Sequence, residues 1–406
     1  DLYLRYPDGR IDHQPGGDHL PFKARSVRYR YPNFMLDLPP DTRVEVLLRV
    51  QSQSSMQVPL ALYTPTSFIE ISRDAQFGTG PYYGIPLALY DWALARTIGL
   101  SETAMRLPMM LCGLATIVVL PLAVAARIGR AQTLAFALLL AISPLLVAYS
   151  QIARPYAIGV LLGWFAHGAF RRYWEGSGRA GAAYAIATAF TVWMHMVIAP
   201  FVLAPLAWAA WTIVREQRDR RARLRRLGAM ARATLAANAL LLGPPLYFQL
   251  GAITGKGGFS APELNSLRGA FHLWAGTSSV AVAVVTFALA SIGAPAVWRA
   301  IAEARTGALG LALTAAALAI TRPEWGQVPI VFGRYLMPFV PLLLLATAVG
   351  AVTVGRAAAR RWRWPHAAAA GAALATAGIA SAMAATGPVP AWSVHPTTHR
   401  LGVGFL

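Results

Sequence analysis

Two kinds of periodicity divide the chain. Toward residue 75 apolar positions alternate with polar ones: Val44, Val46, Leu48 and Val50, and then, after Gln51-Ser52-Gln53-Ser54-Ser55, Met56, Val58, Leu60 and Leu62. Period-two patterning on both sides of a short polar break predicts a β-hairpin. Pro39-Pro40-Asp41 supplies turn chemistry before it. From about residue 104 the alternation gives way to long apolar runs. Pro108–Ala126, Ala131–Ala153, Pro155–Phe170, Ala180–Val214, Ala233–Gly255, Gly269–Trp298, Thr306–Thr321, Tyr335–Gly355 and Pro365–Pro390 contain no Asp, Glu, Lys or Arg. A membrane span needs about 20 apolar residues. Ala180–Val214 is long enough for two spans turning near Ala199-Pro200, which brings the expected number to about ten. Residues 84–100 are shorter, carry Asp91 and Arg96, and predict an interfacial helix or a short first insertion.

Composition agrees. The 406 residues are 56% hydrophobic and 13% charged, with a mean hydropathy of +0.48. Ordinary soluble domains carry roughly 25% charged residues. The net charge of +19 could suggest a nucleic-acid partner, but so much apolar length points to a polytopic membrane protein with cations in its cytoplasmic loops. We expect no nucleic-acid partner. Nine of the 17 acidic residues lie in the first 75 positions. The lone Cys112 excludes an intrachain disulfide and a Cys-based zinc site. The chain opens at Asp1 rather than Met and so reads as a fragment or a processed chain.

Lys and Arg set the orientation. One set of alternate loops holds 19 of them: Arg127 and Arg130, Arg171 to Arg179, the eight from Arg215 to Arg232, Arg299 and Arg305, and Arg356 to Arg363; the other set holds seven. The richer side is cytoplasmic by the positive-inside rule. The β-like region then lies outside, and the expected location is a bacterial inner membrane.

This topology gathers scattered polar residues onto the outer face. Tyr149, Gln151, Arg154 and Tyr156 fall between two spans, His195 near the outer end of another, and Arg334 at the start of a late one. An arginine fork pairs with planar oxyanions, so two arginines and a histidine at one depth predict a lipid-phosphate head-group site. The plain alternatives are arginines that snorkel to lipid or pair with Glu324, and a histidine bonded between helices. Trp92, Trp174, Trp274 and Trp325 read as interfacial anchors.

Four segments resemble motifs of membrane glycosyltransferases of the polyprenyl-phosphate-mannose-protein mannosyltransferase-like (GT-C) class. They are Ser101-Glu102-Thr103-Ala104-Met105-Arg106-Leu107-Pro108, Tyr149-Ser150-Gln151-Ile152-Ala153-Arg154-Pro155-Tyr156-Ala157, Val192-Trp193-Met194-His195 and Arg334-Tyr335-Leu336-Met337-Pro338. Their order matches over about residues 91–385. The resemblance implies inverting transfer of a sugar from a polyprenyl-phosphate donor to an extracytoplasmic acceptor, whether glycan, lipid or protein. By it, Arg154 and Arg334 hold donor phosphate, while His195, Tyr156, Tyr149 and Gln151 line the cavity. Such chemistry wants a carboxylate base. The family's first outer loop does not match here: Gly78-Thr79-Gly80-Pro81-Tyr82-Tyr83 lacks its His and one Pro, and Tyr156 stands where relatives often carry Asp nearby. Asp74, Asp91 and Glu324 are weak candidates for the base. The resemblance names no required cofactor and leaves room for a divalent metal.

Residues 22–69 resemble the end of the extracellular sensor domain of seven-transmembrane receptors with diverse intracellular signalling modules. The matching stretches are Phe22-Lys23-Ala24-Arg25, Leu36-Asp37-Leu38-Pro39-Pro40 and Leu47-Leu48-Arg49-Val50-Gln51-Ser52. That resemblance implies a β-sandwich binding carbohydrate-like ligands. The expected architecture is therefore mainly α, GT-C-like, with a small β-sandwich-like extracytoplasmic domain over 1–75. A junction follows over 76–103, then a transmembrane region over 104–386 and an outer tail over 387–406. Two function classes follow, a membrane glycosyltransferase, truncated or inactive, and a membrane sensor without catalysis. A transporter is the third; Gly243-Pro244-Pro245 predicts a broken helix, but mid-membrane carboxylates are missing from the sequence.

Overall fold

The computed structural model describes residues 1–16, 33–51, 60, 62–68, 96–97, 102–152, 154–216, 219–254, 264–321, 333–360 and 366–386. The chain divides into two compact units, Asp1–Leu60 and Ala61–Leu406.

The first unit carries a three-stranded antiparallel sheet of β1 (Leu2–Arg5), β2 (Ile11–Gln14) and β3 (Glu45–Leu48), in the order β2-β1-β3. Register places Tyr3 opposite His13 on one side and Leu47 on the other. Because side chains alternate across a strand, Leu2 and Leu4 fall on one face, where they are buried with Tyr6 against Phe34, Leu36 and Leu48. The Tyr6 hydroxyl donates to the Asp37 carbonyl at 2.9 Å, and Gln14 Nε2 to the Met35 carbonyl at 2.8 Å. The alternating segment expected to open a hairpin is β3, and among the described residues it pairs with β1. Of the expected second arm, Met56 and Val58 lie outside the described residues, while Leu60 and Leu62 are exposed and belong to no strand.

The second unit is helical. Its helices are α1 (Glu102–Ile128), α2 (Arg130–Ile142), α3 (Pro144–Ser150), α4 (Tyr156–Trp174), α5 (Gly178–Met194), α6 (Ala199–Arg215), α7 (Arg220–Thr254), α8 (Leu264–Ala275), α9 (Val280–Ala300), α10 (Ala302–Thr321), α11 (Val340–Ala359) and α12 (Ala367–Thr386). Six segments among the described residues are long and apolar enough to cross a membrane, or seven if α2 and α3 count as one span bent by 59°. The expectation of about ten is not met, for reasons visible in the helices. The 17 residues of α5 reach only about 26 Å, short of the roughly 30 Å hydrocarbon core. The cationic stretch Arg220–Arg232 occupies the first third of the 35-residue α7. The run Gly269–Trp298 is split by a turn at Gly276, whose φ of +69° suits glycine. As expected, Ala180–Val214 folds as two helices, breaking at His195 just before Ala199-Pro200. Gly243-Pro244-Pro245 does not break its helix; α7 runs through it.

Packing between helices relies on glycine. A Cβ on Gly293 of α9 would overlap the Ala346 carbonyl of α11, and one on Gly350 of α11 the Leu289 carbonyl of α9. Backbones meet there as they do where small residues line membrane helix contacts. Elsewhere the surface is apolar: Ile320 is 81% exposed and Leu240 76%, which lipid rather than water would cover.

Candidate functional site at the outer ends of the helices

The site begins at the bend between α2 and α3. Pro144 cannot supply the backbone donor that would carry α2 onward, and α3 leaves at 59° with Tyr149 buried near its end. A tight return follows: Arg154 N donates to the Ile152 carbonyl at 2.7 Å, and Tyr156 N to the Arg154 carbonyl at 2.9 Å. This sets Tyr156 at the start of α4, its ring edge-on to Tyr149 with centroids 4.6 Å apart.

His195 arrives where α5 stops. Its backbone is extended (φ −157°, ψ 97°), and its N–H closes the last turn on the Thr191 carbonyl at 3.0 Å. The imidazole stands 5.0 Å from the Tyr156 ring and 6.3 Å from the Tyr335 ring. Arg334 is held by the chain on either side of it. Trp274 Nε1 donates to the Gly333 carbonyl at 3.1 Å, and Trp164 Nε1 to the Pro338 carbonyl at 2.7 Å. Its guanidinium carbon sits 5.9 Å from the Tyr156 centroid and 5.4 Å from that of Tyr335, within the range of cation–π attraction. The Arg334 and Arg154 guanidiniums lie close enough to the Tyr149 and Tyr156 hydroxyls to act on them electrostatically.

The structure thus brings together Tyr149, Tyr156, His195, Arg334 and the exposed Arg154; the half-buried Gln151 lies in the same return loop. Asp74, Asp91 and Glu324, the candidate bases, lie outside the described residues. Among the described residues no carboxylate pairs with Arg334 or Arg154. Arg334 Nε and His195 Nδ1 are buried without a hydrogen-bond partner. Chemically this is a cation in an aromatic cage with unused donors, an arrangement suited to a phosphate oxyanion. No group of three His, Cys, Asp or Glu residues that could hold a metal occurs among the described residues.

The sequence reading passed over two features. Tyr335 completes the cage; it stood in the motif, next to Arg334. Trp274 and Trp164 were missed as positioning residues because their acceptors are backbone carbonyls 59 and 174 residues away. Trp274 was read as an interfacial anchor instead.

A second polar centre occupies the opposite end of α4. Glu303, 9% exposed at the start of α10, accepts from Arg127 Nη1 at 2.6 Å and from Arg171 Nε at 2.7 Å; Arg171 also grips Glu175 at 2.7 Å. His167 lies beside it, its Nε2 3.0 Å from the Phe201 carbonyl and its Nδ1 2.6 Å from Thr306 Oγ1. Arg127 and Arg171 both belong to the cation-rich loop set, so the contacts collect the two loop sets at opposite ends of α4.

Helices of spanning length and apolar surface define a multi-pass membrane protein. Residues 1–64 match the family model described as 7TMR-DISM extracellular 2. The match covers the sheet-bearing unit and gives the chain an outward, receptor-like N-terminal domain. No curated protein and no solved structure matches the chain.

Proposed function

We propose that the chain is a membrane sensor whose N-terminal β domain binds a carbohydrate-like ligand outside the membrane. The supporting observation is the match of residues 1–64 to an extracellular receptor domain, ahead of helices of spanning length. The open face of the sheet has suitable chemistry. Tyr3 and His13 stack with centroids 4.5 Å apart, Asp1 Oδ1 lies 3.0 Å from His13 Nε2, and Arg5 and Glu45 pair at 3.7 Å in the next row. Aromatic faces next to carboxylates offer apolar contact to a sugar's C–H face and acceptors to its hydroxyls. The test is saturation-transfer NMR of the detergent-purified full chain against a panel of mono- and oligosaccharides. A bound sugar whose signal disappears in Tyr3→Ala supports the reading; no bound sugar, or binding indifferent to Tyr3 and His13, overturns it.

A second reading rests on the convergence of Tyr149, Tyr156, His195 and Arg334. In it the helical unit moves a sugar from a polyprenyl-phosphate donor in a bacterial inner membrane to an outer glycan, lipid or protein acceptor. Arg334 and Arg154 would neutralise the departing phosphate, and the aromatic rings would line the sugar's path. A base drawn from Asp74, Asp91 or Glu324 would deprotonate the acceptor hydroxyl. The sugar's anomeric carbon would then exchange its bond to phosphate oxygen for one to the acceptor oxygen, with inversion. Arg334→Ala should abolish retention of a radiolabelled polyprenyl phosphate by the purified protein; unchanged retention would remove this reading.

A further inference from the structure

A cavity of about 260 Å³ opens between the cytoplasmic ends of α4, α6 and α10 and the start of α7. Its size is just below the roughly 300–1,000 Å³ of drug-sized ligand sites, so it suits a compact head group. Neither function reading uses it. Its wall is charge-balanced, with Arg171, Arg223 and Arg305 set against Glu175, Glu216 and Glu303. Such a wall gives no net attraction to a simple anion or cation but favours a guest that carries both charges.

The two signs are unevenly satisfied. Arg305 spends Nε on the Trp298 carbonyl at 2.9 Å and Nη2 on the Arg299 carbonyl at 3.3 Å. No carboxylate pairs with it among the described residues. Carbonyls fix its position but leave its full charge, which calls for an oxyanion. Glu216 is the counterpart. Its side chain is 65% exposed, and among the described residues its one ion-pair contact is Oε2 with Arg223 Nη1 at 2.9 Å. The same wall holds Trp208, and an indole face attracts an ammonium; Trp174 already stacks on Phe170 and has Arg223 over its ring.

The location supplies the class of guest. Trp208 lies 4.8 Å from Trp211 and 6.2 Å from Trp298, a tryptophan cluster of the kind that marks a membrane–water interface. Alongside, α6 exposes Trp211 and Val214 at 45% and 67%, an apolar surface on which acyl chains can lie.

We propose that this cavity holds the head group of a cytoplasmic-leaflet phospholipid bearing a primary ammonium next to its phosphate. The phosphate meets Arg305, and the ammonium meets Glu216 and Trp208. Free phosphoethanolamine has the same chemistry, and the experiment separates the two sources.

The test is native mass spectrometry of the detergent-purified full chain, with phosphatidylethanolamine, phosphatidylcholine and phosphatidylglycerol added in turn. One phosphatidylethanolamine per chain should be retained at least tenfold more strongly than phosphatidylcholine. Arg305→Gln should remove that retention. Glu216→Gln should shift preference toward phosphatidylglycerol, a reversal that general damage to the fold would not produce. Equal retention of the three lipids, or no response to either substitution, overturns the site. Soluble phosphoethanolamine that displaces the lipid at equal concentration overturns the lipid source. The outer-site and β-domain readings do not depend on the result.

Discussion

The two ends of α4 place half-buried arginines in opposite situations. At the inner end Arg171 and Arg127 share the carboxylate of Glu303. At the outer end, among the described residues, Arg334 lies against aromatic rings with no carboxylate partner, and its Nε has no hydrogen-bond partner. Taking a charge from water costs several kcal/mol unless it is paired. The inner cluster offsets that cost internally and serves as a joint between helices. The outer cluster shows no such carboxylate among the described residues, which is why we propose that an anion completes it. The same residue type thus has a carboxylate partner at one end and none among the described residues at the other.

Breaking the inner joint should have the largest effect. Glu303→Ala leaves Arg127 without a carboxylate and Arg171 with Glu175 alone, and removing one member of a buried ion cluster costs about 3–5 kcal/mol. The arginines keep 26% and 31% of their side-chain exposure, so the low end of that range is expected. Thermal unfolding of the purified protein measures it; a loss of under about 1 kcal/mol would make the cluster an ordinary surface pair.

Substituting Arg334 should separate stability from binding. Arg334→Met removes cation–π contacts worth about 1–2 kcal/mol but also lifts the desolvation of an unpaired charge. The thermal midpoint should therefore stay within about 1 kcal/mol of the parent while affinity for a phosphate-bearing lipid is lost. A destabilisation as large as that of Glu303→Ala would show Arg334 to be architecture after all and erase the contrast.

Much of the outer site was legible because it is local and topological. Tyr149, Arg154 and Tyr156 are joined by one short return. His195 and Arg334 fall in loops of the same parity, so counting spans and cations put all five on one side. The Glu303 joint was not legible, since its bonds cross 176 and 132 residues and no periodicity announces them; the single hint was an acid inside an arginine-rich loop. The described residues hold fewer spans than the sequence predicts, for a physical reason. Freedom from charge identifies an apolar run, but length, a glycine turn at 276 and the bend at Ser143-Pro144 decide what such a run becomes. In the β unit the strand pattern predicted β3, but its partner β1 begins 43 positions earlier, a pairing that local alternation cannot name.

The smallest effect sharpens the comparison by testing what holds Arg334. Trp164→Phe keeps most of the ring volume and deletes one hydrogen bond, to the Pro338 carbonyl. That should cost about 1 kcal/mol, because the carbonyl is left to find another donor. The backbone that leads to Arg334 would gain freedom, so phosphate-lipid affinity should fall severalfold while the Glu303 joint is untouched. A double substitution Trp164→Phe with Arg334→Met separates the two roles. If Trp164 acts through Arg334, the affinity losses will not add, whereas losses that add would mean that Trp164 supports the site by a route independent of the arginine.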